Sequence, residues 1–203
     1  DAQRNILLGE AGADTLQGAG GSDDLFGGSG NDWFEFLSQG PELHGTVDGG
    51  PDTDGLLLGA NSEYHFENLD SLSNIEHIRY TAPNVTAFFL NHQLGPWSVD
   101  GSGEIVTFTS GSIDPNQVSD LSSLSFTGWE NATVSIYGAM GLSADTLIGS
   151  QVDDQIFGRE GDDFLEGGEG ADTLYGDSGN DTFFYGTADQ SNGAESIQGG
   201  DGT

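Results

Sequence analysis

An aspartate falls on every ninth residue in two stretches of this chain: Asp14, Asp23 and Asp32, then Asp145, Asp154, Asp163, Asp172 and Asp181. Glycines keep the same beat, as in Gly27-Gly28-Ser29-Gly30-Asn31-Asp32-Trp33-Phe34-Glu35 and Gly167-Gly168-Glu169-Gly170-Ala171-Asp172-Thr173-Leu174-Tyr175. The unit reads Gly-Gly-x-Gly-x-Asp-x-apolar-x, its apolar place held by Leu16, Leu25, Phe34, Leu147, Ile156, Leu165, Leu174 and Phe183. Glycine allows positive φ and close approach of two backbones. The apolar residue marks a strand of about three residues with one side chain pointing inward; so short a strand is unstable alone, and successive strands must stack into a continuous sheet. A disordered acidic linker has no reason to keep an apolar residue two places after each aspartate.

Stacked strands stack their turns, which brings aspartates of neighbouring turns face to face. Carboxylates so placed repel one another unless a cation lies between them. Carboxylate and carbonyl oxygens, with no nitrogen or sulfur donor, are the ligand set of a hard cation, calcium above all. The eight aspartates are therefore candidate metal ligands, together with the turn glycines Gly12, Gly21, Gly28, Gly30, Gly161, Gly168, Gly170 and Gly179. Asp54 joins them, because Gly49-Gly50-Pro51-Asp52-Thr53-Asp54 reads as one more nonapeptide. Asp52-Thr53-Asp54-Gly55 also opens like an EF-hand loop, but Leu57 stands where that loop needs glycine.

Residues 9–35 and 149–184 resemble the RTX nonapeptide repeats of proteins secreted by the bacterial type I route. The resemblance implies an all-β fold: a parallel β-roll or β-solenoid with two nonapeptides per coil, in which calcium bridges glycine-rich turns one coil apart. On that pattern Asp14 pairs with Asp32, Asp145 with Asp163, Asp154 with Asp172, and Asp163 with Asp181. Asp23 faces Asn5, which keeps an oxygen and lacks the charge. Such pairing corresponds to about four or five calcium ions. Two repeats are degenerate, at Gly149-Ser150-Gln151-Val152 and Met140-Gly141-Leu142-Ser143. The resemblance also implies an extracellular or bacterial cell-surface location, reached from a Gram-negative cell by type I secretion with an export signal C-terminal to this segment.

Three basic against 34 acidic residues leave a formal charge of −31, and there is no lysine. That balance excludes nucleic acid as a partner and argues against a bare anionic membrane surface. Cysteine is absent, so no disulfide supports the fold. No apolar run approaches the roughly 20 residues of a membrane span. Self-repulsion expands the chain when calcium is scarce, whereas a ligand bound only by the folded state stabilises it by RT ln(1 + [L]/Kd) per site. With affinities of roughly 10⁻⁴–10⁻³ M, the chain is expected to fold outside the cell.

Glycine divides the chain into three parts, with 14 in residues 1–59, 5 in 60–137 and 15 in 138–203. The outer parts read as β-roll blocks and the middle as a β-rich insert that continues the solenoid. A shift of 149 residues lays Ser29-Gly30-Asn31-Asp32-x-Phe34 on Ser178-Gly179-Asn180-Asp181-x-Phe183. One residue later in register, Val47-x-Gly49-Gly50 meets Ile197-x-Gly199-Gly200. The second block therefore reads as the start of another copy of a tandem repeat of about 150 residues, with Thr203 in the place of Thr53. Within 60–137, the runs 75–81, 85–90, 104–109 and 132–137 read as strands, 91–100 and 114–116 as breaks, and Asp114-Pro115 as the cap of a short helix over 118–121.

No catalytic constellation emerges. Gly176-Asp177-Ser178-Gly179 is similar to the nucleophile segment of trypsin-like proteases but lies inside a nonapeptide. His44, His65, His77 and His92 lack metal-ligand spacing, and His77 reads as a strand surface residue. Paired catalytic carboxylates need environments that separate their pKa values, whereas these repeat near-identical ones. The sequence thus points to a non-enzymatic, calcium-binding structural protein: a section of a β-solenoid rod in a surface filament, adhesin or surface layer, able to associate with other copies of itself. A rival is the calcium-folded secretion module of a protease, lipase or epimerase. A third reading has the insert bind carbohydrate or another cell-surface ligand through exposed Trp97 and Trp129.

Overall fold

The computed structural model describes residues 3–18, 21–36, 43–59, 63–108, 118–128, 133–184 and 195–202. Within them the chain is nearly all-β, with two single-turn 3-10 helices at Phe66–Asn68 and Asn91–Gln93. The first strands are β1 (Ile6–Leu8), β2 (Thr15–Leu16), β3 (Asp24–Phe26), β4 (Trp33–Phe36), β5 (Thr46–Asp48) and β6 (Gly55–Leu58). Next come β7 (Glu63–His65), β8 (Ser71–Ser73), β9 (His77–Tyr80), β10 (Thr86–Leu90), β11 (Ser98–Asp100), β12 (Glu104–Phe108), β13 (Val118–Asp120), β14 (Ser125–Thr127) and β15 (Thr133–Tyr137). The last are β16 (Thr146–Ile148), β17 (Asp154–Phe157), β18 (Phe164–Glu166), β19 (Thr173–Tyr175), β20 (Thr182–Phe184) and β21 (Ser196–Gln198). Their pairing is parallel, and they form a β-solenoid.

The chain divides into two compact units. One comprises Asp1–Phe88, Gly95–Gly103 and Ser125–Asn131; the other comprises Phe89–Leu94, Glu104–Leu124 and Ala132–Thr203. In the first unit β1, β3, β5 and β8 make one sheet, and β2, β4, β6, β9, β11 and β14 make another. From β1 to β6 the chain changes sheet at every strand, so two strands and two turns complete a coil. Ile6 lies beside Asp24 and Thr15 beside Trp33, one 18-residue coil on; Leu25 lies beside Val47 and Trp33 beside Gly55, across a coil of 22. In the second unit β13, β16, β18 and β20 make one sheet, while β12, β15, β17, β19 and β21 run side by side in another.

The 149-residue shift is visible in the topology. It carries β1 to β17, β2 to β18, β3 to β19 and β4 to β20, and with one residue more β5 to β21. The pairings follow, since β1–β3–β5 is matched by β17–β19–β21 and β2–β4 by β18–β20.

Most of the short strands bury their central residue, because alternate side chains point to opposite faces. Leu25, Phe34, Leu147, Ile156, Leu165 and Leu174 are all buried, as is Leu16, and Phe183 is half-buried. Aromatic side chains fill or flank these cores. In the first unit Phe36 meets Phe66 edge-on with ring centroids 5.3 Å apart. In the second, Phe108, Tyr137, Phe157 and Tyr175 stack on successive strands, with centroids 5.5, 4.7 and 4.7 Å apart.

Residues 60–137 contribute strands to both units. β8 and β9 extend the two sheets of the first unit in register, and β13 pairs with β16 in the second. Four strand runs read from the sequence fall on β9, β10, β12 and β15. Two expectations are corrected. Val118–Asp120 is a strand rather than a helix, because Val118, Ser119 and Asp120 pair with Thr146, Leu147 and Ile148. Ser98–Asp100, read as part of a break, is a strand paired with β9 and β14. Trp97 is buried. Trp129, the Asp114-Pro115 cap and Thr203 lie outside the described residues.

The burial pattern sets a contrast between two leucines. Leu165→Ala, at a site with no solvent exposure, is expected to cost about 2–5 kcal/mol. Leu142→Ala, at a site 87% exposed, is expected to leave stability within about 0.5 kcal/mol. Urea unfolding in saturating calcium measures both.

Candidate metal centre

Six of the repeat aspartates reach across one coil. One carboxylate oxygen accepts the backbone N–H of the residue in the same place one coil earlier. Asp32 accepts from Asp14 (2.8 Å), Asp163 from Asp145 (2.8 Å), Asp172 from Asp154 (2.9 Å), Asp181 from Asp163 (3.0 Å) and Asp23 from Asn5 (2.9 Å). Asp54 does the same across the longer coil, accepting from Asp32 at 2.7 Å. The Asn5 side-chain amide also donates to Asp23, at 3.1 Å.

The second oxygen is a different matter. Oδ2 of Asp14, Asp32, Asp54, Asp163 and Asp181 is buried with no hydrogen-bond donor, as is Oδ1 of Asp145. Leaving a buried carboxylate oxygen unsatisfied is costly. The residue five places before each aspartate except Asp145 is glycine, and the carboxylate lies over it: Gly9, Gly18, Gly27, Gly49, Gly149, Gly158, Gly167 and Gly176. Over Gly9, Gly27, Gly49, Gly149 and Gly158 a carbonyl from the next coil points at the same space. A Cβ on Gly158 would stand 2.6 Å from Asp163 Oδ2 and 2.8 Å from the Gly176 carbonyl oxygen, and Gly27 is capped likewise by Asp32 and Gly49. Carboxylate and carbonyl oxygens converging on a small space suit a hard cation, so these residues fit calcium. Among the described residues no three His, Asp or Glu side chains gather as a metal site; backbone carbonyls must therefore complete any coordination.

All eight turn glycines singled out in the sequence have positive φ, between 100° and 142°. A side chain at Gly28 would strike the Glu10 carbonyl, at Gly30 the Gly12 carbonyl, and at Gly179 the Gly161 carbonyl. Glu10, Arg159 and Asp177 hold the second position of their turns with φ of 71°, 76° and 65°, where glycine would be unstrained.

The degenerate turns are built differently. At Asp145 the glycine beneath the carboxylate is Gly138, seven residues before it, and Ala139 N–H donates to Oδ2 at 2.6 Å. Met140 and Leu142 are exposed in this longer turn. At Asp154, Ser150 donates through both its N–H (2.6 Å) and its hydroxyl (3.1 Å). Both Asp154 oxygens thus have protein donors, unlike those of the six aspartates with a bare oxygen.

The protein supplies almost no compensating charge. Arg4 pairs with Asp24 and Asp70, Arg79 pairs with Asp100 and lies over Trp33, and Arg159 donates to the Gly138 carbonyl and lies over Tyr137. Among the described residues no arginine hydrogen-bonds a repeat aspartate. Burial accordingly lifts the Asp163 carboxyl to about 6, lifts those of Asp54, Asp145 and Asp181, and lifts that of Asp154 well above the ordinary range. Asp24 moves the other way, because the Arg4 hydrogen bond favours its ionised form.

A family model of the RTX calcium-binding nonapeptide repeat (4 copies) matches residues 1–34, 141–174 and 148–183. These two blocks are RTX calcium-binding nonapeptide repeats. Neither a curated protein nor a solved structure matches the chain. The RTX match accounts for the repeat aspartates on both sides of the middle region, and stops short of Asp54.

Sequence reasoning passed over Glu76, which continues the RTX pattern. Its Oε2 accepts the Asp54 N–H at 2.9 Å. The signal was present, since Asp32, Asp54 and Glu76 are evenly spaced and each precedes a buried apolar residue by two places: Phe34, Leu56 and Ile78. Ser178 sits in a stacked RTX turn, its backbone bridged to Glu160 and Asp201. His77 is half-buried in β9, stacked on Trp33 and hydrogen-bonded to Ser98.

Two outcomes follow from this geometry. Gly158→Ala fills the space where the two oxygens converge and is expected to cost about 1–3 kcal/mol and to weaken calcium binding. Gly199→Ala, where an added Cβ meets nothing within 4 Å, is expected to do neither; calorimetric titration and urea unfolding compare them. Carboxyls raised by folding hold protons more tightly in the folded state, so without metal the fold is most stable below the ordinary value of 3.8 and loses stability as pH rises through about 6. Circular dichroism in chelator should therefore show β-structure declining from pH 4 to 7, and calcium at pH 7 should restore it.

Proposed function

We propose that this chain is a calcium-stiffened section of an extracellular β-solenoid rod, serving as a structural component of a bacterial surface filament, adhesin or surface layer. The supporting observation is the file of repeat carboxylates, six of them tied to the coil before and most left with a buried, unsatisfied oxygen. A cation in each gap turns mutual repulsion into adhesion between coils. Near-identical sites at successive coils suit a repeated fastener better than an acid–base pair, and we assign no catalytic role to any of them. The 149-residue recurrence of five strands in the same order supports the rod over a single terminal module, because stacked repeats gain length with copy number. RTX repeats are typical of secreted proteins. The charge of −31 keeps the chain extended where calcium is scarce. No described helix is long and apolar enough to cross a membrane.

Calcium should convert the chain from an expanded coil to a β-rich fold, read by circular dichroism and small-angle scattering in millimolar calcium and in chelator. A full β signal surviving chelation at pH 7 would sink the reading. Electron microscopy of the native material tests the rod itself, with filaments that soften or disperse in chelator as the expected result.

A further inference from the structure

The carboxylate file continues beyond the RTX repeats with a different sequence, Asn74-Ile75-Glu76 in place of Gly-Gly-x-Gly-x-Asp. Asp48 pairs with Ser73 and Gly55 with His77, which sets Asn74 beside Gly49 and Glu76 beside Asp54. Three residues, 74–76, join β8 to β9, where six, 49–54, join β5 to β6. The shortened backbone needs a longer side chain, and the extra methylene of glutamate supplies it. Glu76 Oε2 then accepts the Asp54 N–H, as Asp54 accepts that of Asp32.

We infer that Asp54, Glu76 and the Asn74 carbonyl oxygen form a further calcium site, beyond the residues that match the RTX repeat. Asp54 is fully buried, and its Oδ2 has no hydrogen-bond donor. That oxygen and the Asn74 carbonyl oxygen converge over Gly49, where a Cβ would stand 2.6 Å from Asp54 Oδ2 and collide with the carbonyl. The same convergence occurs over Gly27, between Asp32 Oδ2 and the Gly49 carbonyl, so the local geometry of an RTX turn is reproduced without its glycines. Asn74 has φ of 54°, and its side-chain amide donates to Asp48 at 2.7 Å, which braces the turn that aims its carbonyl. Asp52 points elsewhere, accepting the Gly30 N–H at 3.1 Å. The nearest arginine in sequence, Arg79, is paired with Asp100.

The inference rests on calcium binding by the RTX turns, and two measurements separate the failures. Crystals of the protein grown in calcium should show an anomalous peak between Asp54 and Glu76 as well as peaks at the repeat turns. Peaks at the repeats with none at Glu76 overturn this site alone; no peak anywhere overturns the calcium reading too. Glu76→Gln keeps an oxygen for the Asp54 N–H and removes the charge. Equilibrium dialysis should then find one calcium fewer per chain, with circular dichroism in saturating calcium unchanged. An unchanged count and affinity would overturn the site.

Discussion

Each coil of the repeat blocks depends on one contact, a carboxylate oxygen accepting a backbone N–H from the coil before. The contact fixes register, because Asp32 can reach Asp14 only when Trp33 lies beside Thr15. It also aligns like charges in files. Strands in a sheet lie about 4.8 Å apart, where two unit charges repel by roughly 3–4 kcal/mol at an effective dielectric near 20. A few such repulsions would exhaust the net stability of roughly 5–15 kcal/mol typical of a domain. Arg4 and Arg79 are engaged elsewhere and Arg159 lends its charge to Asp145, so the rest of the file needs a cation or a proton. The raised carboxyls are the protonic answer and calcium the metallic one, and at neutral pH the second is the stronger.

Glycine serves the same constraint from the backbone side. Its absence of Cβ at Gly27 and Gly158 lets a carboxylate and a carbonyl meet, and its positive φ at Gly30 and Gly179 lets one turn settle on another. The substituted turns show which of these needs is absolute. Glu10, Arg159 and Asp177 hold positive φ at the turn position that Gly28 and Gly168 fill in other coils, so glycine there is replaceable. No described repeat replaces the glycine beneath the carboxylate; where Met140 occupies its place by count, the turn lengthens to bring Gly138 there instead.

The repeat blocks were legible because their rule is local: an aspartate, its glycines and one inward apolar residue recur within nine positions. The middle of the chain obeys a non-local rule. Ser98–Asp100 and Val118–Asp120 carry little strand signal of their own and are strands because a paired neighbour offers an open ladder. Glu76 escaped notice for a related reason. Its role is set by its place beside Asp54, and the three-residue turn that puts it there has none of the glycines that mark the other turns.

The two edges of the first unit are held by different means. One edge carries Asp14, Asp32, Asp54 and Glu76, a charge on every coil. The other carries Asn5 and Asp23, and then Gly45, whose close approach to the Asp23 carbonyl leaves no room for a side chain. There Arg4 spans the coils, hydrogen-bonded to Asp24 on β3 and to Asp70 just before β8. An ion pair on so exposed an arginine is screened by solvent and adds little, far less than the repulsion that calcium cancels opposite. In the second unit both edges are acidic, with Asp145, Asp163 and Asp181 on one and Asp154, Asp172 and, by register, Glu195 on the other. Calcium dependence is therefore concentrated on one edge of the first unit and shared by both edges of the second.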